Sequence, residues 1–420
     1  MMNNVTREKI VKFADKMTFF SLCIVIFCIG FSNAGVESFF GFVFLGFIIK
    51  KLFSRPKLNN IFSNSSLVLP LLIFILANFL SLLNSKQCIK LSLEALLFKW
   101  LEYVILYFIV VDTVNTKRKI NIVVAVLLFS VSLVGIDGIY QRVAGVDFLR
   151  HWTLSMVMQS GAPAISGAFN HYNDLAAYLV TLLPLLICVY FCAKHKIGLL
   201  YFILSVVMIL NIACLIGTFS RAGWISFTAS LIIILIIMQK KRVLFFGLLV
   251  VFLLCLLLIP DLRMRVWVTF LAGGDAQRLN IWKDSLIMIK EHPVLGMGVG
   301  TFMENFEHYG NFINPYAHLG QYAHNCFLQI WAEAGIFALL SFLWFVILIF
   351  VKGIKAFRIR GNYLLLGVVS GFFAFLVHSS LDTGLYSLRL AFLFWFMAGL
   401  TAAITKLETI ASKQESTPKA

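Results

Sequence analysis

Long apolar stretches, separated by short polar segments, recur along almost the whole 420-residue chain. A helix needs about 20 mostly apolar residues to cross a bilayer, and the chain contains twelve stretches of this kind. The predicted spanning helices are 17–32, 36–53, 67–84, 91–111, 120–140, 172–193, 197–217, 222–239, 243–260, 325–351, 362–381 and 385–404. The pattern therefore predicts an all-α polytopic membrane protein with about twelve transmembrane helices.

Two segments between the predicted spans are too polar and too rich in turn residues to cross a membrane. These are residues 141–171 and residues 261–324, the longest non-spanning segment. Long ordered loops often carry function. The predicted organisation is nine spans within 1–260, a large loop over 261–324, three spans within 325–404 and a polar tail over 405–420.

The large loop contains a helical pattern of its own at 276–290. Leu279, Trp282, Leu286 and Ile289 recur at three- and four-residue steps, while charged residues fall between them. This spacing predicts an amphipathic helix that lies along the membrane surface or covers the end of the bundle.

Composition and charge support a membrane protein and set its orientation. Hydrophobic residues make up 60% of the chain and charged residues 13%, which excludes a soluble globular domain and a disordered chain. The net charge of +16 does not indicate a nucleic-acid partner, because Lys and Arg collect in every second loop between the spans. The positive-inside bias then predicts that both termini are cytoplasmic and that both long loops face outwards.

Three residues in or beside the outward-facing segments are candidates for chemistry. Arg221 lies in the tight turn between the seventh and eighth spans, Arg278 lies on the amphipathic helix, and His324 comes just before the tenth span. Arginine suits phosphate because its planar guanidinium donates paired charged hydrogen bonds, and histidine exchanges a proton near neutral pH. Each also has a structural interpretation, as a snorkelling arginine, a solvated helix face or an interfacial histidine.

Other polar residues leave further interpretations open. Glu94, Lys99 and Glu102 interrupt the fourth span, and the three-residue step between Lys99 and Glu102 predicts an ion pair. Charges within a membrane also fit an ion or proton path in a transporter. Asp382 follows His378 by four residues, so that one of these side chains is expected to orient the other.

Neither a metal nor a nucleotide cofactor is predicted. His318 and His324 are six residues apart, without the spacing of a zinc motif. The glycine-rich stretch 296–300 follows no strand, and we interpret it as a turn between helices. The eight cysteines mostly lie within apolar stretches and are interpreted as small apolar side chains in the core.

Four segments, in this order, resemble the O-antigen ligase and polymerase superfamily of bacterial inner-membrane glycosyltransferases, which have a GT-C-like fold. They read GAFNHYNDLAAYL, GTFSRAGWISF, QRLNIWKDSLIMIKEHPVLGMGVGTF and AHNCFLQIWAEAGIFALLSFL, and together they span roughly residues 165–350. Each motif is weak alone, but their order and their shared outward placement are typical of the superfamily. The arrangement of one large outer loop before the last three spans favours the ligase branch.

The resemblance implies an enzyme that takes a glycan from undecaprenyl diphosphate at the periplasmic face of the inner membrane. In ligases the acceptor is a sugar hydroxyl of lipid A-core, and in polymerases it is the next lipid-linked repeat unit. The family works without metal or nucleotide. Its essential arginines match Arg221 and Arg278, and its histidine matches His324, the expected general base.

We further expect substrate contacts from Trp282, Tyr322, Asn325 and Asp382. The expected reaction inverts the anomeric carbon, and the expected surroundings are membrane lipid. A repeat-unit polymerase is the alternative, followed by a transporter with twelve helices.

Overall fold

The computed structural model describes residues 4–54, 66–156, 163–192, 198–238, 242–271, 276–309 and 322–416. These residues are almost entirely helical, as predicted. The α-helices are α1 Asn4–Cys28, α2 Asn33–Ser54, α3 Val68–Ser81, α4 Ile89–Ala95, α5 Glu102–Thr113, α6 Lys117–Ala144, α7 Tyr172–Cys192, α8 Gly198–Gly217, α9 Arg221–Ile237, α10 Arg242–Leu258, α11 Pro260–Leu271, α12 Ala276–Glu291, α13 Phe302–Tyr309, α14 Cys326–Arg360, α15 Tyr363–Ser379 and α16 Leu388–Ser416.

The remaining regular structure is short. One 3-10 turn, Leu82–Asn84, follows α3, and another, Gly384–Tyr386, precedes α16. A π-helical turn, Leu96–Leu101, joins α4 to α5. In the segment between α6 and α7, two short antiparallel strands, β1 Ser155–Met156 and β2 Pro163–Ala164, pair with each other. Within the described residues the fold is therefore all-α apart from this strand pair.

Several helices are long and apolar enough to cross a membrane. Five of the described helices meet this condition, and a sixth is added if α10 and the start of α11, which are bent by 87°, form one span. Three more apolar helices are shorter: Val68–Asn84, Arg221–Ile237 and Tyr363–Ser379. A protein that crosses the membrane several times is supported, and the full count of twelve spans stays a prediction.

Three helices, α7, α15 and α16, form the centre of the bundle. From Leu175 to Cys188 every residue of α7 is buried, because protein surrounds this helix on all sides. A side chain at Gly371 of α15 would place its Cβ 2.0 Å from the Thr181 carbonyl oxygen of α7. Glycine therefore permits the close approach of the two central helices, whose outer ends carry polar residues described below.

Helix α14 is broken at Gly335, which has φ 79° and ψ 178°. The turn that precedes α13 supplies partners to the backbone at the break, because Met297 N donates to Ala332 O and Gly298 N to Glu333 O, both at 2.9 Å. The predicted continuous span 325–351 is therefore wrong at its start. A short outer helix precedes Gly335, and the long apolar helix follows it. Hydropathy does not detect the break because the residues on both sides are apolar.

Glu333 ties the same turn to the bundle. Its buried carboxylate accepts hydrogen bonds from Gly300 N at 2.9 Å, Gln329 Nε2 at 3.2 Å and Tyr386 OH at 3.1 Å. The glycine-rich stretch 296–300 is a turn between helices, as predicted, and it is packed against α14 rather than free in solvent.

The outer loop has a hydrophobic core of its own. Helices α12 and α13 and the start of α14 contribute its buried members: Ile281, Met288, Ile289, Phe302, Phe306, Ala323 and Ala332. The helix predicted at 276–290 is confirmed as α12, but its predicted apolar face is partly wrong. Leu279 and Leu286 remain exposed, since the loop core is built on a neighbouring face that also contains Asp284 and Ser285.

The predicted pairing of Lys99 with Glu102 is wrong. No ion pair joins them within the described residues, and the π-helical turn between them widens the helix, so that a three-residue step no longer brings two side chains together. Glu94 and Lys99 both lie exposed on the outside of the bundle. This placement does not favour an ion path through the interior.

Candidate active site

Four parts of the chain meet at the carboxylate of Asp382, which lies between α15 and α16. His324 Nδ1 is 3.1 Å from Oδ1, and Asn173 Nδ2 donates to Oδ2 at 2.5 Å. Arg278 Nη2 lies 3.8 Å from Oδ2. We call these four residues the Asp382 cluster. The cluster brings together three of the predicted site residues, His324, Arg278 and Asp382.

His324 is held in place by the start of α14. The side chain of Asn325 caps this helix, since its Oδ1 accepts hydrogen bonds from Phe327 N at 3.0 Å and Leu328 N at 3.1 Å. His324 itself has φ 47°, a left-handed conformation that non-glycine residues seldom adopt and that is often found at functional sites. The imidazole is about one-third exposed, at 34%, so that Nε2 is within reach of a ligand.

Arg278 connects the outer loop to the bundle. Its Nη1 donates a hydrogen bond of 2.8 Å to the carbonyl oxygen of Leu381, next to Asp382. The arginine lies in the first turn of α12, and 25% of its side chain is exposed. The remaining N–H groups of the guanidinium therefore remain available to an anion that enters beside Asp382.

Asp382 is ionised in this environment. Burial alone would raise the pKa of its carboxyl, but the hydrogen bond from His324 and the positive charges of His324 and Arg278 outweigh it and hold the pKa well below its ordinary range. An ionised carboxylate only accepts hydrogen bonds. The imidazolium form of His324 supplies the positive charge that stabilises this carboxylate. When His324 is neutral, its hydrogen bond to Asp382 places the remaining proton on Nδ1 and leaves the lone pair of Nε2 free to accept a proton.

His171 and Asn173, at the start of α7, are part of the site although they were not predicted. Desolvation lowers the pKa of His171, and the charges of Asp382, His324 and Arg278 also act on this imidazole. Its Nδ1 accepts a hydrogen bond from Asn173 N at 3.1 Å, and its ring lies against Tyr172. The only sign of them in the sequence is the polar stretch 170–174, immediately before the apolar part of α7.

The predicted interaction of His378 with Asp382 is replaced by another arrangement. Helix α15 ends at Ser379, so that a four-residue step does not put these two side chains on one helical face. Asp382 binds His324 instead, and both ring nitrogens of His378 are buried without a hydrogen-bond partner among the described residues.

The other predicted site residues lie on separate parts of the described chain. Arg221 is the first residue of α9, a helix that packs against α7 and α15. Trp282 is on α12, and its indole Nε1 is buried without a partner among the described residues. The ring of Tyr322 lies 5.9 Å from that of Tyr386. The functional roles of these residues stay predictions.

Metal ligands are not grouped in the described part of the chain: no set of three or more His, Cys, Asp or Glu side chains could hold a metal ion there. His318, the histidine weighed above as a metal ligand together with His324, lies outside the described residues. The Asp382 cluster itself combines a proton acceptor, a carboxylate that orients it and an adjacent cation. This combination suits proton removal from a hydroxyl beside an anionic leaving group.

Comparison with known proteins agrees with this chemistry. Residues 204–343 match a family model described as O-antigen ligase. No curated protein matches the chain. The matched segment runs from α8 to α14 and includes Arg221, Arg278 and His324. The predicted resemblance of this chain to the O-antigen ligase and polymerase superfamily is therefore confirmed over residues 204–343.

Proposed function

We propose that this protein is an O-antigen ligase, which transfers a glycan from undecaprenyl diphosphate to a sugar hydroxyl of lipid A-core at the periplasmic face of the inner membrane. The observation that carries the proposal is the contact of His324 Nδ1 with Asp382 Oδ1 at 3.1 Å, with Arg278 beside it. The O-antigen ligase match over residues 204–343 supports the class of reaction.

In the proposed reaction the acceptor hydroxyl oxygen attacks the anomeric carbon and forms the new glycosidic bond. The bond between that carbon and the phosphate oxygen breaks, and its electron pair leaves with the diphosphate. His324 Nε2 takes the proton of the attacking hydroxyl, while Asp382 stabilises the imidazolium that forms. Direct displacement of this kind inverts the anomeric carbon. General base catalysis typically contributes a factor of about 10² to 10⁴ in rate.

Arg278 and Arg221 are proposed to bind the diphosphate. Departure of the leaving group adds negative charge to its bridging oxygen, and arginine side chains in a water-poor cleft stabilise such charge. Arg278 is already positioned by Leu381 O, so that little reorganisation is needed when the anion enters. We propose that Trp282 and Tyr322 provide apolar faces for the sugars and that α12 and α13 exclude water, which competes as acceptor.

Purified protein, assayed with a lipid-diphosphate-linked glycan, tests this proposal. His324→Ala and Arg278→Ala are expected to lower transfer by about 10² or more, because each removes a group that acts in the transition state. Matched controls are His308→Ala and Lys283→Ala, which remove an exposed histidine and an exposed lysine of the same loop and are expected to retain activity. Full transfer by folded His324→Ala protein would refute the catalytic role.

The ligase and polymerase activities are separated by the lipopolysaccharide of a strain that lacks the gene. A ligase predicts that long glycan accumulates on undecaprenyl diphosphate while lipid A-core remains bare. Lipid A-core that carries a single repeat unit would instead identify a polymerase.

A further inference from the structure

A cavity of about 570 Å³ lies at the other end of the bundle, between the C-terminal parts of α14 and α16. Lys352 follows Gly335 by 17 residues, which corresponds to about 26 Å along a helix with a rise of 1.5 Å per residue. The thickness of a hydrocarbon core, about 30 Å, therefore separates this cavity from the Asp382 cluster. The cavity is not part of the site described above.

Three lysines surround the cavity without an anionic partner. Lys352 and Lys355 are on α14 and Lys406 is on α16, and none of them forms an ion pair with a carboxylate among the described residues. Arg360, at the same end, is neutralised differently: its Nη1 lies 2.6 Å from Glu415 Oε2 and its Nε 3.8 Å from Glu408 Oε2. Glu408 also lines the cavity, but its ion pair is with Arg360, so that the three lysines add positive charge that no ion pair balances among the described residues.

Both polar and apolar side chains line the cavity. The hydroxyl of Thr405 is buried and has no hydrogen-bond partner among the described residues, although it lines the same space as the lysines. Phe108 and Val111 of α5 and Ile349 of α14, which precedes Lys352 by one turn, give the cavity an apolar wall. Unpaired lysines beside an apolar wall match the two parts of an anionic phospholipid.

We propose that this cavity binds an anionic phospholipid from the membrane leaflet on the side opposite the Asp382 cluster. The headgroup phosphate lies between Lys352, Lys355 and Lys406 and accepts a hydrogen bond from Thr405, and an acyl chain covers the apolar wall. The apolar wall favours a lipid over a free anion, because a free anion leaves that surface exposed to water. This inference is independent of the proposed function, since it uses none of the residues of the Asp382 cluster.

Titration of the purified full-length protein with phosphatidylglycerol tests the proposal, with bound lipid counted by native mass spectrometry. The variant with Lys352→Gln, Lys355→Gln and Lys406→Gln is expected to bind phosphatidylglycerol about a hundred-fold more weakly, about five-fold for each lysine near an anionic lipid. If the triple variant fails to fold, each single Lys→Gln variant is expected to bind phosphatidylglycerol about five-fold more weakly. The matched control, Lys117→Gln with Arg118→Gln and Lys283→Gln, removes three exposed charges that do not line the cavity and is expected to leave the affinity unchanged.

Two further probes distinguish the headgroup from other ligands. Phosphatidylcholine has the same apolar chains without net charge, and inorganic phosphate has the charge without the chains; neither is expected to bind at the concentrations that saturate phosphatidylglycerol. Equal binding of phosphatidylcholine would overturn the role of the lysines. Equal binding of inorganic phosphate would overturn the assignment to a lipid, and so would an unchanged affinity of the triple variant.

Discussion

Asp382 determines the geometry of the site at the scale of single residues, because its two carboxylate oxygens hold groups from α7, α12 and the start of α14 at once. Its contact with His324 fixes which imidazole nitrogen faces the substrate. A residue with this position acts through the histidine and need not touch the glycan. We therefore interpret Asp382 as a positioning residue for His324.

Asp382→Asn is expected to lower the rate of glycan transfer by about 10- to 100-fold, as is typical when the partner that orients a functional histidine is lost. The KM for the lipid-linked donor is expected to change little, because the Asn side chain still accepts the hydrogen bond from Asn173 and Arg278 remains bound to Leu381 O. Steady-state kinetics of the purified variant provide the check, with Glu307→Gln, an exposed acid of the same loop, as control. A weakened donor affinity at an unchanged kcat would argue for a direct substrate contact instead.

The low pKa of Asp382 also predicts a pH dependence of stability. A carboxyl whose pKa is lower in the folded state stabilises the protein above its unfolded pKa, near 3.9, and loses this contribution only as the pH falls towards the folded value. The difference in Tm between the wild-type protein and Asp382→Asn is therefore expected not to shrink between pH 8 and pH 5. Thermal unfolding across this range measures it, and a difference that disappears by pH 5 would show that the carboxyl is protonated there.

The sequence predicted three members of the Asp382 cluster, but not the residues that hold them together. His324, Arg278 and Asp382 were all named, since their types and their outward placement indicate phosphate and proton chemistry. His171 and Asn173 were missed because their role depends on the packing of α7 beside α15, far apart in the chain. The expected orienting hydrogen bond between His378 and Asp382 does not form, because α15 ends at Ser379 before it reaches Asp382, although the two side chains still interact electrostatically.

At the scale of elements, the break in α14 decides how the outer loop is attached. Gly335→Ala is expected to destabilise the protein by about 3 kcal/mol or more, since a Cβ there would lie 1.9 Å from the Val294 carbonyl oxygen at a φ of 79°. Gly361→Ala is the matched control: it also has a positive φ, 64°, but a Cβ there meets nothing within 4 Å. The control is expected to cost only about 1 kcal/mol. Thermal unfolding compares the two, and equal losses would mean that the contact with Val294 does not matter.

Element boundaries were predictable where hydrophobicity changes sharply and unpredictable where backbone contacts set them. The bounds of α12, Ala276–Glu291, agree closely with its periodic pattern. Its buried face differs because α13 and the start of α14 cover one side of the helix, which a pattern within a single helix does not reveal. The break at Gly335 and the π-helical turn Leu96–Leu101 likewise depend on tertiary contacts.

At the scale of the whole molecule, α14 joins the two ends of the bundle. His324 of the Asp382 cluster directly precedes its start, and the lysine-lined cavity lies near its end. From 336 to 358 the helix covers about 34 Å, close to the thickness of a hydrocarbon core. The proposed reaction on a periplasmic glycan requires the start of α14 to face the periplasm.

Cysteine labelling in cells tests this orientation. Leu279→Cys, at an exposed position of α12 near the cluster, is expected to react with a membrane-impermeant maleimide when the outer membrane is permeable and the inner membrane intact. Arg358→Cys, at an exposed position near the end of α14, is expected to react only after the inner membrane is opened. The unsubstituted chain serves as control, because the cysteines whose side chains are described are buried or half-buried. The reverse pattern would place His324 in the cytoplasm and exclude transfer to a periplasmic acceptor, and labelling of both positions from outside would mean that α14 does not cross the membrane.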